Sequence, residues 1–269
     1  MTKQAIGERL RHDVINDIVQ RLSPVRWNLP EDFLTISHFS RCVNNLDWNS
    51  SPGYPYMRQF TDNRKLFSVV NGVPNVHMVE HMYNLAIKRI SERTSDPIRV
   101  FIKQEPHTWK KIVNNRYRLI MSVSVLDQLI DQMLFNDLNH KMIDHHLSIQ
   151  PKPGWTPLLG GWKLVPKINV VSTDKSCWDW TMQDWVVEIL YQVREKLCDN
   201  VTEQWKELAQ WRYKQLFVEP EFILSNGLRM KQKFVGMMKS GCVNTIADNS
   251  IAQMILDSRI CLELNLAPK

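Results

Sequence analysis

Asp174-Lys175-Ser176-Cys177-Trp178-Asp179 sets two carboxylates five residues apart, just beyond the apolar run Lys167-Ile168-Asn169-Val170-Val171. A carboxylate at the mouth of a cleft can hold a hard divalent cation, although the same placement also suits a turn or a helix N-cap. The interval recurs at Asp179 and Asp184, so spacing alone does not decide. Position favours Asp174, which ends the most strand-like segment of the chain, whereas Asp184 sits where a helix begins. Further along, Lys239-Ser240-Gly241 feeds a segment in which Thr245 and Asn249 are four residues apart and share one helical face. The pattern reads as a glycine turn with a buried polar pair, or as a loop beside a substrate with Asn249 aimed at a hydroxyl.

The third constellation is basic. Residues 99 to 118 hold Arg99, Lys103, Lys110, Lys111, Arg116 and Arg118 against a single acid, Glu105, with Trp109 and Tyr117 interleaved. If Arg116-Tyr117-Arg118 is a strand, both arginines lie on one face, and planar guanidinium groups hold phosphate oxygens two at a time. A second window, residues 226 to 239, carries Arg229, Lys231, Lys233 and Lys239 and no acid. The formal charge is only +6, so the rest of the chain is net acidic and the positive charge is focused. Such focusing suits a polyanion, RNA or a nucleoside triphosphate. A solvated charged surface is the competing reading; the acid embedded among the bases argues against it, since Glu105 can pair with one base and fix its direction.

These groups need elements to position them. With 269 residues, 43% hydrophobic and 23% charged, the chain is expected to bury a core. Leu10 to Leu22, the segment after Pro74, Leu126 to Met142, Met182 to Leu197, Thr202 to Phe217 and Thr245 to Leu264 all show helical spacing. Phe101-Ile102, Tyr117 to Val123 and Lys167 to Val171 read as strands, and Asn226-Gly227 between apolar runs predicts a hairpin. Prolines and glycines make loops of residues 50 to 56 and 151 to 166. No apolar run is long enough for a membrane span and the N-terminus lacks a signal peptide, which predicts a soluble, cytosolic chain. Five dispersed cysteines predict buried, unpaired thiols. His77 and His81 are four apart but lack the carboxylate of a zinc-binding helix, so they are expected to be ordinary face residues.

The ordered set resembles viral RNA-directed RNA polymerases of positive-strand RNA viruses. Lys103-Gln104-Glu105, Lys111, Arg116 and Arg118-Leu119-Ile120 look like motif F, and Ser51 to Tyr56 looks like motif G. Asp174 to Asp179, with Trp178-Asp179-Trp180, resembles motif A, and Ser240-Gly241, Thr245 and Asn249-Ser250 resemble motif B. The Trp-Asp-Trp form and Pro153-Gly154-Trp155 are most similar to the sobemovirus and polerovirus branch. The resemblance implies that Asp174 is catalytic and binds Mg²⁺, with Mn²⁺ as an alternative, and that Asp179 and Asn249 sense the ribose 2′-hydroxyl. It implies that Lys103 and Arg118 hold the triphosphate, that Lys111 and Arg116 line the entry path, and that Glu105 orients the basic strand. Ser240, Gly241 and Thr245 would contact RNA, and Gly53, Tyr54, Pro55 and Tyr56 would guide the template.

The implied fold is α/β, the helix-rich fingers and partial palm of a right-hand polymerase with the start of an antiparallel palm sheet and no thumb. Residues 1–165 would be fingers, 166–198 the palm's motif A strand and helix, 199–235 a fingers/palm insertion with a hairpin, and 236–269 the palm's motif B loop and helix. The family's motif C supplies an Asp-Asp, and no Asp-Asp occurs in this chain. The chain is therefore expected to be a fragment with little activity alone, its partners being template and nascent RNA, ribonucleoside triphosphates and a downstream piece carrying motif C and the thumb. The expected location is the host cytoplasm, in viral replication complexes. The competing readings are a non-catalytic RNA-binding protein acting through its basic windows, and one half of a split polymerase.

Overall fold

A computed structural model describes residues 5–168, 170 and 172–266. Its centre is a helix that has no polar side. α6 (Val125–Asp144) buries residues around its whole circumference, from Leu126, Leu129 and Ile130 to Met133, Phe135 and Leu138, and Ser124 caps its start by accepting from the Asp127 N–H. The helices introduced before it are α1 (Glu8–Arg21), α2 (Ile36–Asn44), the single turn α3 (Asn63–Leu66), α4 (Val76–Glu92) and the short α5 (Trp109–Val113). After it come the single turn α7 (Trp178–Thr181), α8 (Asp184–Leu197), α9 (Glu203–Tyr213) and α10 (Thr245–Glu263). α2, α4 and α9 pack on α6, and α10 lies between α1 and α8. Asn75 and Thr202 cap α4 and α9 through their side-chain oxygens, which is why those helices begin where they do.

Charge runs through this core in paired form. Arg212 on α9 grips Asp131 on α6 at 2.6 Å, and Arg89 on α4 reaches Asp127, one turn earlier, at 3.0 Å. Arg194 on α8 donates to Asp248 on α10 at 2.7 and 2.9 Å, and Tyr213 donates to the same carboxylate. Both members of the Arg194–Asp248 pair are essentially without solvent contact. The pair ties the start of α10 to α8.

A four-stranded sheet, ordered β2-β1-β3-β4, covers one end. β1 (Ile98–Ile102) runs antiparallel to β2 (Leu119–Ser122), with Arg99 opposite Ser122, and parallel to β3 (Glu221–Leu224), with Ile98 opposite Phe222. β4 (Arg229–Lys231) returns antiparallel to β3 through a turn in which Gly227 takes the left-handed conformation, φ 86°.

Four expectations change. In the segment 167–171 the described members Lys167, Ile168 and Val170 lie in no strand, and Ile168 and Val170 stand 80% and 54% exposed; Asn169 and Val171 lie outside the described residues. β-branched residues favour strands only where a neighbouring strand receives them, and nothing pairs with this segment among the described residues. Among the described residues the sheet is therefore mixed and built from β1 to β4, with no antiparallel motif A strand in it. Arg116 to Arg118 likewise precede β2 as coil, so the second strand begins at Leu119 and not at Tyr117. Residues 158–164 coil into a 3₁₀ turn within the expected loop. All five cysteines are free, but only Cys42, Cys198 and Cys242 are buried, and Cys177 is exposed. No helix among the described residues is long and apolar enough to cross a membrane.

Candidate nucleotide-reading site

The excursion from β1 to β2 is closed at its base by Lys103, whose N–H donates to the Arg118 carbonyl at 2.8 Å. Glu105 sits between the two bases, 2.8 Å from the Lys103 ammonium and 3.4 Å from the Arg118 guanidinium. Those contacts, Lys103 foremost, hold the Glu105 carboxyl below the usual range. One acid thus organises two cations that a crowded phosphate chain could use. Lys111 and Arg116 stand exposed farther out on the excursion, joined through their backbones by the Arg116 N–H on the Lys111 carbonyl.

Arg118 also faces α7. Asp179 is half-buried there; burial raises its pKa, while the Arg118 charge and the Asn249 side chain pull it back. Asn249 comes from the second turn of α10 and accepts from the Trp178 indole N–H at 2.7 Å. Three separated stretches of sequence therefore meet at one carboxylate, two of them contributing a side chain that favours its ionised form.

The loop between β4 and α10 is clamped beneath this point. Met237 N–H donates to the Met182 carbonyl at 3.0 Å and Met238 N–H to the Asp179 carbonyl at 2.8 Å. Gly236, at φ 109°, lies so close to Met182 that a Cβ would approach its carbonyl oxygen to 2.1 Å. Lys239 is wholly buried rather than part of a surface basic window. Its ammonium donates to the Gln232 side chain at 2.7 Å and to the Met237 and Gly236 carbonyls at 2.7 and 3.1 Å. The Thr245 hydroxyl is turned back into the same loop, on the Lys239 and Cys242 carbonyls. Arg229 and Lys231 face Glu221 on the neighbouring strand, so the second basic window is partly neutralised.

The end of β2 gathers the remaining expected residues. Ser240 Oγ accepts from the Met121 N–H at 3.3 Å, and Gly241 packs so tightly that a Cβ would meet the Met121 carbonyl oxygen at 2.4 Å. On the other side Gly53, φ 69°, presses on Val123, and the Pro52 carbonyl accepts from Val125. Between the two loops an open cleft of about 410 Å³ is lined by residues that include Asp47, Ser51, Phe101, Ser122 and Gly241. Tyr54, Pro55 and Tyr56 are half-buried along the same loop, and burial pushes the Tyr56 hydroxyl up to about 12.

Asp174 stands apart. It is exposed in coil and makes no hydrogen bond or ion pair with the described residues. Among the described residues no group of three His, Cys, Asp or Glu side chains is arranged to hold a metal ion, and one carboxylate cannot hold both ions of a two-metal centre. The residues present do not by themselves fit a two-metal centre. Sequence reasoning reaches Trp178 only as a neighbour of Asp179 that could shape a nucleotide pocket; it misses the indole bond to Asn249 and the burial of Lys239.

Residues 38–262 match the family described as viral RNA-dependent RNA polymerase. The chain belongs to that family. It is 33% identical over 189 residues to Protein P1-P2 of Pea enation mosaic virus-1, covering 63% of this chain and 16% of that protein. It is 31% identical to the replicase polyprotein P2AB of Southern cowpea mosaic virus, over 76% of this chain and 23% of that one. Protein P1-P2 of Potato leafroll virus is 30% identical over 77% of the chain, which spans 22% of it. The relatives are those of the sobemovirus and polerovirus branch, and the chain spans less than a quarter of the length of these three.

Proposed function

We propose that this chain is the template- and nucleotide-reading part of a polymerase that copies viral RNA into RNA. The parent reaction joins ribonucleotides by attack of a 3′-hydroxyl on an α-phosphate, with release of pyrophosphate. The observation that carries the reading is the meeting of Arg118, Asp179 and Asn249 from three separate segments, with Lys103 and Glu105 behind Arg118. Lys103 and Arg118 would hold the triphosphate, Asp179 and Asn249 would read the 2′-hydroxyl that marks an RNA precursor, and Lys111 and Arg116 would line the entry. Gly53 to Tyr56 and Ser240-Gly241 would border the template on either side of the β2 end, with Thr245 holding the second loop.

In right-hand terms, residues 1–165 are assigned to fingers and the segments around α7, α8 and α10 to palm. Residues 199–235 are assigned as a fingers/palm insertion with a hairpin, a reading supported by the joining of β3 and β4 to the sheet of β1 and β2. Asp174 is assigned as one carboxylate of the family's divalent-metal centre, whose other ligands would come from residues outside this set. The Asp-Asp that the chain lacks would come from a neighbouring polymerase piece. Primer extension on an RNA template tests the reading. The 269-residue chain alone should elongate little, and addition of a relative's segment carrying the Asp-Asp should restore extension that Asp174→Ala abolishes. Restoration insensitive to Asp174→Ala, or RNA binding with no extension in any combination, would favour a non-catalytic RNA-binding role.

A further inference from the structure

The Trp178 indole makes one hydrogen bond among the described residues, and its direction constrains Asn249. An indole N–H only donates, so the Asn249 atom 2.7 Å from it must be Oδ1. The amide cannot then turn over without facing one donor with another. Its NH₂ is left for the Asp179 side, and the Asn249 side chain helps keep that carboxylate ionised. The Trp178 ring is itself held: the Lys175 ammonium lies 5.0 Å from its centroid and donates to Gln253 at 2.6 Å, and Gln253 donates to Asp257 at 2.7 Å. Three residues of α10, Asn249, Gln253 and Asp257, are thereby chained to the residues on either side of Cys177.

We propose that Trp178 is a positioning residue for sugar selection: its indole N–H fixes the Asn249 amide so that an incoming ribose meets a donor beside an acceptor. The inference rests on the ribose-reading assignment of Asp179 and Asn249 made above. A 2′-hydroxyl can give its proton to the Asp179 carboxylate and accept from the Asn249 NH₂ in one geometry. With the amide reversed, the hydroxyl would face two acceptors with one proton, and a 2′-deoxy sugar would lose little by comparison. Phenylalanine at 178 keeps a ring for Lys175 but removes the N–H that enforces the orientation.

The test is the ratio of affinities of the 269-residue chain for ATP and 2′-dATP. The native chain should prefer ATP about tenfold, the ratio expected from one charge-assisted hydrogen bond. Trp178→Phe should reduce the preference to within about twofold by weakening ATP binding, with 2′-dATP binding unchanged. A Trp178→Phe chain that keeps the full preference overturns the proposal. A second measurement does not depend on that variant folding. In Asn249→Ala, one indole N–H of the ten tryptophans should exchange with solvent faster than in the native chain, and unchanged exchange at every indole overturns the proposal. A native chain without sugar preference contradicts the ribose-reading assignment itself, and the proposal falls with it even where the indole bond is found.

Discussion

At the residue scale, Lys239 shows how much a buried charge can organise. Its three ammonium protons are taken up by the Gln232 side chain and two loop carbonyls, and the rings of Phe217 and Phe222 stand 5.4 and 5.9 Å away. Burial pushes its pKa down to about 7, and the one titratable group credited with acting on it, the Cys242 thiol, is itself pushed up to about 12 and stays neutral in that range. An unfolded lysine keeps its proton to about pH 10.4. Between these values the unfolded chain binds more protons, so this residue's contribution to stability rises with pH, by up to about 1.4 kcal/mol per unit. Below pH 7 both states are protonated and the contribution is level. Urea unfolding of the native chain and Lys239→Met at pH 7 and pH 9 should show the difference moving in the native chain's favour by about 1 to 3 kcal/mol. A difference independent of pH would mean that the amine titrates as if solvated. Nothing in the sequence distinguishes this lysine from Lys231 or Lys233, because burial of a charge depends on oxygens contributed by distant turns.

At the element scale, what was legible followed from periodicity and what was not depended on partners. α1, α4, α6, α8, α9 and α10 and the Asn226-Gly227 hairpin lie where apolar spacing and turn chemistry put them. α2 has the same amphipathic character, burying Phe39, Cys42 and Val43, but its short apolar face lies between polar turns and gives little periodic signal. The segment at 167–171 shows the reverse failure, an apolar run whose described members have no neighbouring strand among the described residues. α10 illustrates how adjacent residues on one helix divide labour. Asp248 turns inward to Arg194 and Asn249 outward to Trp178 and Asp179. Asp248→Ala strands the Arg194 charge in the core and should cost about 3 to 5 kcal/mol in denaturant unfolding, and replacing both members with apolar residues of similar size should recover most of that loss. Loss below about 1 kcal/mol for the single variant would show that Arg194 finds other partners.

At the scale of the whole molecule, the site is an assembly of loops braced by two surfaces. β2 receives Gly53 from one side and Ser240-Gly241 from the other, and the Met182 and Asp179 carbonyls hold the loop that leads into α10. The order of the motifs was readable in the sequence, as was the pairing of Glu105 with its neighbouring bases. The joining of β1 to β3 and the influence of the Arg118 charge on Asp179 span more than fifty residues each and have no local signature. The isolation of Asp174 follows from the same dependence on long-range pairing, since without a strand behind it the carboxylate has no rigid support among the described residues.

The central claim is that Arg118 and Asp179, far apart in sequence, act on one bound nucleotide. A double-mutant cycle on ATP affinity measures this directly, using Arg118→Ala, Asp179→Asn and the double variant of the 269-residue chain. The account predicts that the two losses fail to add, with a coupling of at least about 1 kcal/mol, or roughly fivefold in affinity. Losses that add to within about 0.3 to 0.5 kcal/mol, or ATP affinity indifferent to both substitutions, would contradict it.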